Sequence, residues 1–488
     1  MRKTAVFADL HLLDNENTVK EDVLKWALQT CKSEAVQLIV CIGDMLGYGQ
    51  INAAKRLRLY LDNCGIDWLF TPGNAELRNP QDTEAVLQTL ASPSESKDAI
   101  LLDTSSLRLS ESAKELLQKN SPAQVYAYTH CPPEYWTPED AALLQDAIDR
   151  GKVAKIISAH RHFDSVKGKQ DMLRGLDPDK ALGGPPAFVV YDGKSRQEFA
   201  YQPADPRLWS SQERRHWLAH LGCSGYRDPF GVLERTRGLA MPALELSYSS
   251  THDWNRLADL VKDWREEGGA WLSLHMPTAA WLEGKISGAE DYKRGVELAM
   301  QLGCDRVTIH PPKVQLQDFE RSREQFGRFM RESLKPLLQA GRQIGLENVH
   351  MNPGENCAQR RFGYTPPECR LWIEELRQGQ ARPELVGFHF DIGHARNNGE
   401  YSWTWPISSW LAELGAEING YHLHQVSKAS EGKLRNHFPL TELFGRMISL
   451  ASLFLAWRKG QARQAPMFLE IREESSDHSY LALRRLLQ

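Results

Sequence analysis

What most constrains this chain is the alternation, from one end to the other, of short apolar, strand-like runs with helical stretches. Such alternation builds α/β architecture, in which helices cover the apolar faces of the sheet. In the first part of the chain the runs Thr4 to Ala8, Gln37 to Ile42, Asp67 to Phe70, Val125 to Tyr128, Lys155 to Ser158 and Ala187 to Tyr191 read as strands. The turn dipeptide Asp192-Gly193 is followed by a polar, proline-bearing stretch from Gln202 to Arg215. The expected division is a first domain over 1–201, a linker over 202–215 and a second domain over 216–488.

Eight more strand candidates follow: His220 to Ser224, Ala243 to Ser247, Ala270 to His275, Arg306 to His310, Gln343 to Glu347, Val386 to Asp391, Gly420 to His424 and Pro466 to Ile471. Each gap holds a helical pattern, such as Asp291 to Leu302 or Gln325 to Ala340. Eight β-then-α units over about 270 residues match the usual size of a (β/α)8 barrel. At 488 residues, either half can bury a core of its own.

Composition narrows the partners. A formal net charge of -4 gives no global field toward nucleic acid or an anionic membrane, although a local basic groove keeps nucleic acid open as a partner. No run approaches the roughly 18 apolar residues of a membrane span, and Asp9 interrupts the short apolar N-terminal stretch, so a cytoplasmic protein is expected. The 8 cysteines, at 31, 41, 64, 131, 223, 304, 357 and 369, form no CxxC pair and read as buried thiols. Histidine says more, because most of the 16 fall at the ends of apolar runs.

In the first domain Asp9-Leu10-His11 ends the first strand, Gly43-Asp44 the second and Gly73-Asn74-Ala75-Glu76 the third. Thr129-His130 and Ala159-His160-Arg161-His162 end two later runs. Ligands of open α/β sheets collect along that edge. Taken singly, each piece is a turn or helix cap as often as a ligand. Together they make a cage for two divalent ions about 4 Å apart, which can clamp a phosphoryl group and activate a bridging water. Such a cage needs a shared carboxylate, and Asp44 is the candidate.

In this order the motifs resemble the calcineurin-like metallophosphoesterases, an α/β sandwich fold. The resemblance implies that Asp9, His11, Asp44 and His162 hold one metal and that Asp44, Asn74, His130 and His160 hold a second, with Asp44, Asn74 and His130 in the catalytic machinery. Family members commonly carry Gly-Asn-His-Asp/Glu, and here the histidine is Ala75. Its absence implies slower reaction of leaving groups that need a proton, and a leaning toward phosphodiesters or activated esters.

In the second domain polar residues end the strands, where TIM barrels carry their chemistry: His275, His310, Glu347, Asp391 with His394, His422 with His424, and Glu470. Mixed imidazole and carboxylate donors suit Zn²⁺ or Mn²⁺. These residues resemble the xylose-isomerase-like TIM barrels, which include sugar isomerases, epimerases and endonuclease IV. The resemblance implies a basic metal set of Glu347, Asp391, His422 and Glu470, with Glu347 and Glu470 also catalytic. His275, His310, His394 and His437 correspond to further ligands of a trinuclear, endonuclease IV-like set. His422-Leu423-His424-Gln425 and Arg435-Asn436-His437 depart from that pattern, where an aspartate ligand is expected. By strand alternation His389 reads as a packing residue. Trp403, Trp405 and Trp410, in the loop from Ala395, either stack on a sugar or base or pack over the barrel rim.

The expected cofactors are divalent ions (Mn, Zn or Fe), two in the first domain and one to three in the barrel. Three functions follow. Both domains hydrolyse phosphoesters, on a phosphorylated small molecule, a nucleotide or nucleic acid; or the barrel isomerises or epimerises a sugar or sugar phosphate beside a phosphatase; or the first domain is a non-catalytic regulatory module. Oligomeric state is left open.

Overall fold

The structure, a computed structural model, describes residues 2–93, 99–119, 125–193, 195–225, 228–352, 359–429, 433–472 and 476–488. Cys357 lies outside them, and the other seven cysteines are buried free thiols. The chain divides into two compact units, Met1–Asp205 with Ser449–Leu455, and Pro206–Ile448 with Ala456–Gln488.

The first unit contains strands β1 (Thr4–Phe7), β2 (Leu38–Ile42), β3 (Asp67–Thr71), β4 (Ala99–Leu102), β5 (Val125–Thr129), β6 (Val153–Ser158), β7 (Ser165–Lys167), β8 (Gln170–Met172), β9 (Ala187–Asp192) and β10 (Ser195–Ala200). They form two five-stranded sheets, ordered β10-β9-β1-β2-β3 and β4-β5-β6-β8-β7. One buried cluster takes Val6, Val40 and Leu69 from the first sheet together with Tyr126, Tyr128 and Ile157 from the second. The sheets therefore stack face to face. Ala127, between the two tyrosines, joins Leu117 and Leu144 from the covering helices in a separate cluster. The period-two alternation of a strand buried on both faces produces that split. This is the metallophosphoesterase-type α/β sandwich.

The second unit adds β11 (Leu221–Gly225), β12 (Ala243–Ser247), β13 (Trp271–His275), β14 (Ala280–Leu282), β15 (Lys285–Ser287), β16 (Arg306–Ile309), β17 (Lys313–Gln315), β18 (Gln343–Glu347), β19 (Gln359–Arg361), β20 (Val386–Asp391), β21 (Ile418–Leu423), β22 (Gln425–Lys428), β23 (Leu434–Phe438) and β24 (Met467–Leu469). A closed barrel runs β11-β12-β13-β16-β18-β20-β21-β24, with β11 paired parallel to β24. The loops after β13, β16 and β18 supply an accessory sheet, ordered β15-β14-β17-β19, which the periodicity of the sequence did not disclose because its strands are three residues long. No helix among the described residues is long and apolar enough to cross a membrane.

The tryptophan loop folds as short helices, Tyr401–Thr404 and Ile407–Leu414. Trp410 is buried and stacks on Phe388 and Phe390, so it is a packing residue, and none of the three tryptophans lines the cavity at the barrel mouth. Ligand stacking is thereby set aside for Trp410.

Candidate functional site

In the first unit the motif residues sit in the turns that end β1, β2, β3, β5 and β6. Asp9, His11, Asp44, His160 and His162 all have positive φ, between 47° and 73°. Side chains other than glycine adopt that backbone rarely and at a cost, and such strain concentrates at functional sites. Fixed hydrogen bonds hold it. The Glu76 carboxylate accepts from the backbone N–H of Asp44 (3.0 Å), Leu46 (2.9 Å) and Gly73 (2.7 Å). Asp44 Oδ1 accepts from Ala75 N–H (2.7 Å), and Asp9 Oδ2 accepts from His160 N–H (3.0 Å).

The ligand atoms of Asp9, His11 and His162 lie within 4.8 Å of one another. Beside them His130 Nε2 is 3.1 Å from His160 Nδ1, and Cys131 falls in the same group. Asp44 reaches both groups, with Oδ2 3.7 Å from His11 Nε2 and Oδ1 3.4 Å from His130 Nε2. His130 Nδ1 donates to the Ile42 carbonyl (3.1 Å), which turns Nε2 toward Asp44 and His160; burial opposes its protonation, but Asp44 raises the ring to about 9. Burial holds His11 and His162 well below the ordinary imidazole pKa, so both are neutral near pH 7, the form a metal ligand needs. Burial raises Asp9 to about 8, with Asp44 adding to it and His130 opposing.

Buried polar atoms without a partner test whether an ion fits. Asp9 Oδ1, both ring nitrogens of His11, Asn74 Oδ1 and His162 Nδ1 have no hydrogen-bond partner among the described residues. Unsatisfied buried groups are costly, and oxygen and nitrogen donors so gathered are what a divalent ion would satisfy. The donor set fits.

At the barrel mouth Glu347, Asp391, His422 and Glu470 are all buried, with ligand atoms within 4.8 Å of one another. His275, His310 and Glu347 form an adjoining group, and His394, His424 and His437 another. Glu347 Oε2 lies 3.1 Å from both His275 Nε2 and His310 Nε2, and Oε1 lies 3.1 Å from His422 Nδ1. His437 again has positive φ, at 66°. His394 Nδ1 donates to the Asn348 carbonyl (2.9 Å). Burial opposes ionisation of Glu347, but His422, His310 and His275 hold its carboxyl well below the usual range. The barrel residues expected as metal ligands are thus gathered at one mouth, and this donor set also fits divalent ions.

One residue was missed, and another was left out of the expected ligand set. Glu245, on β12, is fully buried and accepts from His422 Nε2 (2.5 Å), Ser273 Oγ (2.7 Å) and Thr308 Oγ1 (2.7 Å). With Nε2 so engaged, His422 presents Nδ1 to the carboxylates. The signal was a lone acid in the otherwise apolar run Ala-Leu-Glu-Leu. His424, placed at the strand end but not among the expected ligands, has Nε2 3.1 Å from Asp391 Oδ1. The i, i+2 spacing from His422 puts both on one face of β21. His389 packs: it is buried, and its Nδ1 accepts from Arg306 Nη2 (2.8 Å).

Buried carboxylate and imidazole sets at the strand ends of a two-sheet sandwich and of a closed barrel define a two-domain, metal-associated hydrolase or isomerase. The chain belongs to the xylose isomerase-like TIM barrel family, which residues 242–486 match, and residues 2–164 match the calcineurin-like phosphoesterase family. Both families are typically metal-dependent. Among solved structures the chain is similar to a D-tagatose 3-epimerase-like protein (18% identity, TM-score 0.41, covering 55% of this chain and 97% of that one). It is also similar to endonuclease IV from Thermus thermophilus (15%, 0.36, 55% and 97%) and to L-ribulose 3-epimerase (15%, 0.38, 56% and 92%). Comparison with curated proteins finds no match.

Proposed function

We propose that residues 1–201 form a phosphodiester-leaning hydrolase working with two divalent ions. Joined by the segment 202–215, residues 216–488 form a second metal-dependent site, acting on a sugar phosphate, nucleotide or nucleic-acid phosphodiester. The observation that carries the first half is Asp44, whose two oxygens face separate histidine groups at 3.7 and 3.4 Å. Asp9, His11, Asp44 and His162 would hold one ion, and Asp44, Asn74, His130 and His160 the other. Ions bound there would polarise a phosphoryl oxygen and lower the pKa of water.

The chain's own groups set the geometry. Glu76 pins the Gly73-Asn74 turn under Asp44, and the Ile42 carbonyl fixes the tautomer of His130. Ala75 has no proton to give a departing oxygen, which favours esters whose leaving groups need none.

In the barrel Glu347, Asp391, His422 and Glu470 would form the inner set, flanked by His275, His310, His394 and His437, with room for one to three ions. Glu347 and Glu470 border the cavity and would carry protons there. The same placement favours a second reading, isomerisation or epimerisation of a sugar or sugar phosphate, because carboxylates beside a polarised carbonyl can move a neighbouring proton. The orphaned ligand atoms of the first unit count against a purely regulatory role for it.

Mn²⁺-reconstituted protein assayed on a phosphodiester, a phosphomonoester, abasic-site DNA and free sugars separates these readings. Diester cleavage lost in Asp44→Asn and kept in Glu347→Gln is the expected result. Equal cleavage by wild type and Asp44→Asn would sink the hydrolase assignment. Turnover of a sugar abolished by Glu347→Gln would turn the barrel into an isomerase.

A further inference from the structure

The cavity at the barrel mouth has a volume of about 500 Å³, the size of a small-metabolite pocket. Its wall has two chemistries. One side is the carboxylate and imidazole set; another is the accessory sheet, which contributes Lys313 and Arg361 to the lining.

These two cations are direct partners in the antiparallel register of β17 and β19, so their side chains leave the same face of the sheet. Their neighbours point elsewhere: Val314 is buried, and Arg360 is taken by Glu368, with Nη2 2.6 Å from Oε1. Like charges directly opposite across an antiparallel pair destabilise it unless a counter-charge is present. Among the described residues neither Lys313 nor Arg361 forms an ion pair. The remaining cation of the lining, Arg472, is committed to Glu470 (3.1 Å). The two carboxylates of the lining, Glu347 and Glu470, are engaged by histidines. Two cations without an ion-pair partner among the described residues therefore stand side by side at a cavity wall.

We propose that Lys313 and Arg361 form an anion-binding half-site that takes the phosphoryl group of a small phosphorylated, sugar-like substrate and turns its other end toward the carboxylates. A guanidinium fork and an ammonium together match a phosphate dianion, one by paired N–H donors and the other as a point charge. Only the role of the substrate's far end rests on the metal-site reading above. The pair narrows the substrate from any phosphoester to a small one, because a cavity of about 500 Å³ with two cations lacks the extended basic track that a nucleic-acid backbone needs.

The test uses the full chain freed of metal with EDTA, so that no bound ion captures phosphate, and titrates it calorimetrically with D-ribose 5-phosphate and with D-ribose. The expected result is saturable binding of the phosphate and none of the free sugar. Lys313→Gln and Arg361→Gln should each weaken binding about tenfold, and the double variant should abolish it. Lys313→Arg should keep binding within a few-fold, which a lost structural contact would not restore, and Arg361→Lys, which keeps the charge but loses the paired donors, should bind between wild type and Arg361→Gln. Equal binding of sugar and sugar phosphate, wild-type affinity in the double variant, or preference for an abasic DNA duplex would each overturn the proposal. Mn²⁺ loading measured by EPR keeps the two readings apart. Loading unchanged in Glu347→Gln would defeat the metal assignment, while the ribose 5-phosphate titration decides the half-site independently.

Discussion

Single residues do unequal amounts of work at these sites, and Glu245 does more than its place in an apolar strand advertises. A ligating imidazole is aimed by the partner of its other nitrogen, and losing that partner typically costs 10–100-fold in metal affinity. Glu245→Ala should therefore weaken Mn²⁺ binding at the barrel by roughly that factor, and Glu245→Gln, which keeps an acceptor oxygen, by less. Equilibrium dialysis against Mn²⁺ reads the difference, and equal affinity in all three proteins would reduce Glu245 to packing. Gly73 works by having no side chain. A Cβ there would lie 2.3 Å from Asp44 Oδ1 and 2.5 Å from Asp44 N, closer than atoms can approach. Gly73→Ala must displace Asp44, the residue both N-terminal groups share. The variant is expected to lose N-terminal metal and diester cleavage while barrel metal is retained; wild-type diesterase activity in it would show that Asp44 is dispensable.

Elements position what residues carry, and here the sequence was legible to different depths. Six of the eight barrel strands announced themselves by an apolar run ending on acidic or imidazole residues, because the run is buried on both faces and only side chains near its end reach the mouth. Asp9, Asp44 and His130 could be read the same way. Glu245 could not, since an acid inside a strand shows its meaning only when His422 arrives from another strand 177 residues away. The accessory sheet was invisible for a different reason: three-residue strands have too few positions for period two to show. Trp410 was ambiguous because nothing in its own run says whether the ring faces solvent or the phenylalanines of β20. The helix Val19–Ser33 illustrates how an element can brace a site it does not line. Its Lys20 is buried, 2.8 Å from Asp177 Oδ1 and 3.2 Å from Asp179 Oδ2, and also donates to the His11 carbonyl (3.2 Å). Removing one member of a buried ion group strands the rest, at about 3–5 kcal/mol. Lys20→Met should lower the stability of the first unit by about that amount in urea unfolding, and a change under about 1 kcal/mol would mean the carboxylates find other partners.

At the scale of the molecule, the first unit is not a continuous stretch of chain. It includes Ser449–Leu455, which follows the barrel's seventh strand in sequence. The physical link is Asp179. Its side chain accepts from Ser452 Oγ (2.5 Å) and its carbonyl from Ser449 N–H (3.1 Å), while its other carboxylate oxygen faces Lys20. Residues from late in the chain thus complete the ion group that braces the His11 turn. A fragment ending at residue 205 retains all the N-terminal donor residues but loses both hydrogen bonds. At about 1 kcal/mol each, their loss should let the turn around Asp179 open roughly 30-fold more often. Hydrogen exchange at the amides of Leu176 and Ala181, which bond Ala8 and Asp177, compares the fragment with the full chain. Faster exchange at these amides, with that of β2 and β3 unchanged, is the expected pattern. Equal exchange at all of them would mean that residues 1–205 hold the turn without help, and uniformly faster exchange would mean that Ser449–Leu455 supports the whole unit.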